Sequence, residues 1–352
     1  MPVLPIRIDA SIQTECWSYY RAAIIEAYPA LSEWFIQHYN HLFADKDFNL
    51  FYGENGSKYN QFSCYEEVLH TEGFPHELIR SEDIISFIKA KIDENTYVLF
   101  ECDFRVLINR EQSYTHEILI YGYDEDKQVF FTPILSNKNK WISQTISYEK
   151  VRAAYAALDC LDKKRVQEEM YRRAYLQPVT LITVNNGYQP YYDLCRFLRD
   201  IIHIWENVCL VYQGCFSGNT ITVRYHEGYW ACYNALIEAT VEMINGSHML
   251  ENGYTYSLNI KKLYEYRVRF HNILQKQLSI FSLRTDEQII DKGLSVINML
   301  DLACKLSIKY ELTLDSEYLW KISHLLVGAF KEEDTIIISI REAILEYLTN
   351  HY

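Results

Sequence analysis

The chain has 352 residues, more than one hydrophobic core usually organises, so two domains are expected. Hydrophobic residues make up 49% and charged ones 23%, the balance of a folded globular protein, and the formal net charge of −13 argues against nucleic acid as a partner. Residues 1–10 have neither the basic start nor the apolar core of a signal peptide, and no run of about 20 apolar residues offers a membrane span, so a cytoplasmic protein with no membrane partner is expected.

In chain order, residues 16–28 place Trp17, Tyr20, Ile24 and Tyr28 at helical spacing until Pro29 interrupts, and residues 30–43 repeat the pattern. Residues 51–57 are rich in turn formers, 64–69 read as a short helix, and 81–92 as a longer one with Ser81 at its N-cap. The period then changes to that of strands over 96–104, 115–123 and 128–135, the last two flanking an acidic turn at 122–126. A strand at 141–146, a helix capped by Ser147 and running to Leu158, a charged helix at 162–175 and a strand at 178–184 complete this half. Helices followed by an antiparallel sheet make an α+β domain over 1–186.

Residues 185–190, Asn-Asn-Gly-Tyr-Gln-Pro, mark the domain boundary. Beyond it Leu194, Phe197, Leu198, Ile201, Ile202, Trp205, Val208 and Cys209 follow helical spacing, and apolar faces recur over 229–245, 259–281, 287–308, 316–330 and 335–348. An all-α helical domain over 187–352 is therefore expected, without internal repeats.

The chemistry is concentrated at two places. Gln13-Thr14-Glu15-Cys16-Trp17 puts a cysteine where the first helix starts, and a helix N-terminus favours thiolate over thiol. His116 opens an apolar strand, where an imidazole can hold the proton that a cysteine gives up. Cys64, in Gln61-Phe62-Ser63-Cys64, repeats the Gln-x-x-Cys spacing and is a rival nucleophile, although papain-like folds carry theirs on the first long helix. The competing reading of Cys16 is a buried structural thiol, and of His116 a core histidine.

Cys16 at a helix start, Val98-Leu99-Phe100-Glu101-Cys102-Asp103, and His116-Glu117-Ile118-Leu119-Ile120-Tyr121-Gly122-Tyr123-Asp124 together resemble the butirosin-biosynthesis acyltransferase family, over roughly residues 10–184. The resemblance implies a papain-like N-terminal domain and an enzyme of antibiotic or peptide assembly. Such an enzyme passes an acyl group from a carrier-protein thioester, on an acyl or peptidyl carrier protein, to a small-molecule amine through an acyl-cysteine. It implies Cys16 as nucleophile, His116 as general base and acid, and no cofactor. Where the family has an Asp to orient the imidazole, this chain reads Phe130-Phe131-Thr132-Pro133. Thr132, Asp103 from the neighbouring strand, and Asn137 or Asn139 are the candidates for that role. Gln13 is the candidate for oxyanion binding, although the Gln of papain-type enzymes stands further upstream of its Cys. A hydrolase of the same fold and a non-catalytic binding protein of the same fold are the two rivals.

Other chemistries have little to stand on. No G-x-G-x-x-G, P-loop, G-x-S-x-G or H-E-x-x-H motif is present, and Cys209, Cys215 and His203 fit a helical face better than a zinc site, so no metal is expected. His226, His248, His271 and His324 fall on different predicted helices, and Cys195, Cys209, Cys232 and Cys304 read as reduced core thiols.

Overall fold

The computed structural model describes residues 1–38, 42–45, 48–52, 65–75, 78–108, 115–136, 140–160, 178–206, 209–216, 219–227, 229–246, 254–286 and 288–351. Of these, Trp17, His38, Asp45, Phe51, Ile108, Tyr254, Thr255 and those within 203–229 are described by backbone alone. The protein is mixed α+β, with antiparallel sheets followed by a helical region. Its two compact units are interleaved in sequence. The first comprises Met1–Ser32, Phe62–Gln189 and Cys215–Asn219, and the second comprises Glu33–Gln61, Pro190–Gly214 and Thr220–Tyr352.

The first helix of the first unit is α1 (Cys16–Ile25), and the chain passes from the first unit to the second within α2 (Pro29–His38). Its larger sheet has the order β3-β9-β4-β5, from β3 (Leu69–Phe74), β4 (Tyr97–Asp103), β5 (Thr115–Ile120) and β9 (Val179–Val184), all antiparallel. The central strand β4 is buried along its whole length, which fits its continuous apolar run up to Glu101. A three-stranded sheet follows, with β6 (Gly122–Asp124), β7 (Val129–Leu135) and β8 (Trp141–Ser147) in that order. Two helices line this unit. In α3 (Ile84–Asp93) four isoleucines, 84, 85, 88 and 92, are buried at helical spacing. In α5 (Tyr148–Ala156) the Ser147 hydroxyl accepts the Lys150 N–H at 3.3 Å, the expected N-cap. Between β4 and β5 a single short helix, α4 (Phe104–Ile108), is described.

The strand read as 115–123 breaks at Tyr121, and its two parts belong to different sheets. The N-terminal segment forces the break: Leu4 N–H donates to Tyr121 O at 2.7 Å, Tyr123 N–H donates to Pro2 O at 3.1 Å, and Val3 bridges Gly122. A Cβ on Gly122 would lie 2.8 Å from Pro2 O, so the backbone can pass this close only at glycine. In the acidic turn Glu125 and Asp126 are exposed to solvent, and Asp124 is not. Asp124 is buried, accepts the Lys127 N–H at 3.2 Å and pairs with its ammonium at 3.3 Å.

The second unit holds α6 (Leu194–Glu206), α7 (Tyr229–Ile244), α8 (Tyr254–Phe281), α9 (Ile289–Thr313) and α10 (Ser316–His351). It is not all-helical. A sheet of order β10-β11-β1-β2 joins a hairpin, β10 (Cys209–Phe216) and β11 (Asn219–Glu227), to β1 (Leu42–Asp45) and β2 (Leu50–Tyr52) from far upstream. The expected helices at 30–43 and 194–209 therefore stop at His38 and Glu206, and His226 lies on a strand rather than a helix. Likewise 69–74 is a strand, not the end of a helix, because Leu69 to Phe74 pair residue by residue with β9. Ser81 is not the N-cap of α3; Asp83 is, without a side-chain cap bond. The two patterns at 316–330 and 335–348 are one helix.

The outer edge of β2 is closed by side chains of α8. Asn259 Oδ1 accepts the Leu50 N–H at 3.1 Å, Lys262 Nζ donates to Leu50 O at 2.6 Å, and Tyr52 donates to the Lys262 carbonyl at 2.9 Å. Asn259 and Lys262 are both buried, so these bonds stand in for a missing neighbour strand. Deeper among the helices, Arg267 of α8 meets Glu333 of α10 at 2.5 Å, and both are buried. Gly293 of α9 makes room beside them: its Cβ would lie 2.5 Å from His271 Nδ1 and 3.2 Å from Arg267 Nη2. His271 is thus a core residue.

Cys232 is buried, Cys304 half-buried and Cys195 exposed, so Cys195 is not the core thiol its pattern suggested. The charged helix expected at 162–175 and the positions Cys64, Asn137, Asn139 and His248 lie outside the described residues, as do the side chains of Cys209, Cys215, His203 and His226. Among the described residues no helix is long and apolar enough to cross a membrane.

Candidate active site

Cys16 is the first residue of α1, and Glu15 before it is the N-cap, with extended backbone and no side-chain bond to the helix. The segment leading in is tied down by β8. Trp141 Nε1 donates to Gln13 O at 3.0 Å, and its ring stacks on Tyr19 at 3.7 Å and meets Tyr20 edge-on at 5.6 Å. Two aromatic residues of the first turns of α1 thereby fix the helix start against one tryptophan. The Gln13 side-chain amide donates to Ala10 O at 3.3 Å.

His116 lies on β5, directly opposite Cys102 of β4, while its neighbour Glu117 lies opposite Glu101. The ladder geometry follows from one bond. Glu101 N–H donates to Pro178 O at 2.6 Å, on the β9 side of β4. The Glu101/Glu117 pair is therefore the kind that exchanges no main-chain bonds, and the Glu117 carbonyl points outward from β5. Since β5 ends the sheet order, that carbonyl stands at an edge. Two groups occupy it: the Tyr20 hydroxyl donates to Glu117 O at 3.1 Å, and His116 Nδ1 lies 2.6 Å from the same oxygen. A carbonyl only accepts, so Nδ1 carries the hydrogen and Nε2 presents a lone pair.

Tyr20 follows Cys16 by four residues on α1, which puts both on one face of the helix. With Tyr20 bonded to the edge of β5, Cys16 is carried to the same edge. Burial pushes the Cys16 thiol up to about 12, with the Glu117 and Glu15 carboxylates raising it further and a main-chain hydrogen bond at Cys16 lowering it. This reverses the expectation of a thiolate. The half charge of the helix end is outweighed by lost hydration and by two carboxylates of the wrong sign. His116 moves the other way. Burial holds it below the usual histidine value, although the Glu117 carbonyl and the Glu101 charge pull upward, so the imidazole is neutral at neutral pH. Its ring packs against Phe104 at 5.2 Å.

The remaining sequence candidates are employed elsewhere. Thr132 is fully buried, and its hydroxyl donates to Pro133 O at 3.4 Å. Asp103 accepts the Arg105 N–H at 3.0 Å, as the cap of α4, and pairs with the Arg105 guanidinium at 3.2 Å. Of the residues singled out, His116 meets the Glu117 carbonyl at the β5 edge, and Cys16 lies one helical turn from Tyr20, whose hydroxyl reaches the same carbonyl. The orienting acceptor described for the imidazole is main-chain Glu117 O, which leaves no residue signature to read. Among the described residues no group of three or more His, Cys, Asp or Glu side chains forms a candidate metal site.

No protein-family model matches the chain, and no curated protein matches it either.

Proposed function

We propose that the first unit is papain-like and that the protein is a cysteine-dependent acyltransferase, moving an acyl group from a carrier-protein thioester to a small-molecule amine in peptide or antibiotic assembly. The observation that supports this most is the edge of β5, where Tyr20, on the helix that Cys16 opens, and Nδ1 of a neutral His116 imidazole meet at the Glu117 carbonyl.

The raised thiol pKa dictates the order of proton movements. Cys16 reacts from the thiol, giving its proton to His116 Nε2 as sulfur attacks the thioester carbonyl, rather than from a standing thiolate–imidazolium pair. The tetrahedral intermediate expels the carrier thiol, which takes that proton, and leaves acyl-Cys16. The amine then attacks, its proton passes to Nε2 and on to the departing Cys16 sulfur, and the amide leaves. The first exchange, thioester for thioester, is nearly isoenergetic, and amide formation drives the second. The start of α1 is the place from which main-chain N–H donors would reach the oxyanion, with Gln13 as the side-chain candidate.

A second reading, a binding protein of the same fold without catalysis, draws support from the high thiol pKa beside Glu117. Intact-protein mass spectrometry after mixing with acyl thioesters separates the readings. Acyl transfer requires an adduct on Cys16 that disappears faster with an added amine than in buffer. Release at one rate across a broad amine panel identifies a hydrolase. No adduct with any donor identifies the binding protein and overturns the proposal.

A further inference from the structure

The two sides of α9 differ in what covers them. Val296, Leu300, Ala303 and Ser307 lie on a buried side, and the helix packs against α8 and α10. The opposite side faces solvent, where a surface helix is ordinarily polar. Here Leu294 is 45% exposed, Leu302 46%, Ile308 53% and Leu312 80%. Three of these belong to one row. Leu294, Asn298, Asp301, Lys305, Ile308 and Leu312 follow one another at alternating steps of four and three residues, the spacing of a coiled-coil seam.

The row is complementary to itself when reversed. Two copies of α9 laid antiparallel about a two-fold axis at Ala303 set Leu294 opposite Leu312 of the partner subunit, and Asn298 opposite Ile308 of the partner subunit. Asp301 then meets Lys305 of the partner subunit. Within one copy Asp301 and Lys305 already pair, so the axis closes a ring of four charges of alternating sign. Leu302 stands next to Asp301, beside that axis. A parallel pairing would instead oppose Asp301 to the partner's Asp301 and Lys305 to the partner's Lys305. Charged residues in a seam cost stability, but they select orientation and register. We propose that the solvent face of α9 is the interface of a homodimer, with the two helices antiparallel along this seam.

Sedimentation of the full-length protein over a range of concentrations tests this. Wild type is expected to gain a dimer as concentration rises. Leu294→Glu and Leu312→Glu each put a carboxylate into an apolar layer and should weaken the dimer roughly tenfold or more. Both side chains are exposed in a single copy, so circular dichroism should be unchanged. Asp301→Lys and Lys305→Asp each fill the centre with one sign of charge and should be monomeric alone. Mixed together they should form a heterodimer, and both changes in one chain should restore self-association. A wild type that stays monomeric at every concentration overturns the proposal. So does a dimer that Leu312→Glu leaves intact, or charge variants that fail to complement each other.

Discussion

Replacing Glu117 by Gln tests whether burial and neighbouring charge together hold the Cys16 thiol protonated. The substitution keeps the side-chain shape and the main-chain carbonyl that Tyr20 and His116 use, and removes one negative charge facing the sulfur. Burial first, and the Glu117 carboxylate next, push the thiol from its ordinary 9.0 up to about 12. Assigning roughly one unit to Glu117, about 1.4 kcal/mol, raises the thiolate fraction at pH 8 from on the order of 10⁻⁴ to 10⁻³. A less basic thiolate is also a weaker nucleophile, by about threefold per unit at a Brønsted coefficient near 0.45. The net expectation is alkylation of Cys16 by iodoacetamide about three- to fourfold faster in Glu117→Gln, read by peptide mass spectrometry with exposed Cys160 and Cys195 as internal references. An unchanged or slower Cys16 rate, in a variant whose circular dichroism matches wild type, would refute the electrostatic account.

His271 should make the helical unit acid-sensitive. Burial and the Arg267 charge lower its folded pKa below the unfolded value, so the unfolded chain binds the extra proton. Stability is then full above the unfolded pKa of about 6.5 and falls as pH drops toward the folded pKa, with a slope of at most about 1.4 kcal/mol per pH unit. Urea titrations from pH 8 to 5 should show this loss in wild type and a shallower one in His271→Phe; parallel curves would rule it out. Gly122→Ala drives a methyl into Pro2 O and should cost about 1–3 kcal/mol, with faster amide exchange at Leu4 and Tyr123; unchanged protection there would mean the N-terminal segment is not held at this point.

The strands of the first unit were legible where the sequence carries β-branched and aromatic runs, as in β4, β5, β7, β8 and β9, because burial of those runs and their pairing demand the same residues. The strand β3 was not. Four of its six residues are exposed, and its pairing with β9 lies more than a hundred residues away, where no local period can show it. The α6 pattern overshot for a related reason. Val208 and Cys209 continue the helical spacing, but Cys209 opens a hairpin whose partner strand is β1. At the site, chain order pointed to Cys16 and His116. It did not reveal that a carbonyl orients the ring, nor that Glu117 raises the thiol, because one is main chain and the other depends on which residues face each other across β4 and β5.

The closure of β2 by α8 has a consequence for synthesis. Lys262 stands 212 residues after the Leu50 carbonyl it bonds. At a translation rate of about 5–20 residues per second, some ten to forty seconds separate the emergence of the two. Until β11 (Asn219–Glu227) is made, which takes most of that interval, β1 also lacks its partner, so a short, apolar, hydrogen-bonding edge is presented by a nascent chain that cannot yet cover it. The second unit is thus committed to folding last, from both ends of the sequence at once, and whatever shields residues 42–52 during those seconds governs how much of the protein reaches its native form.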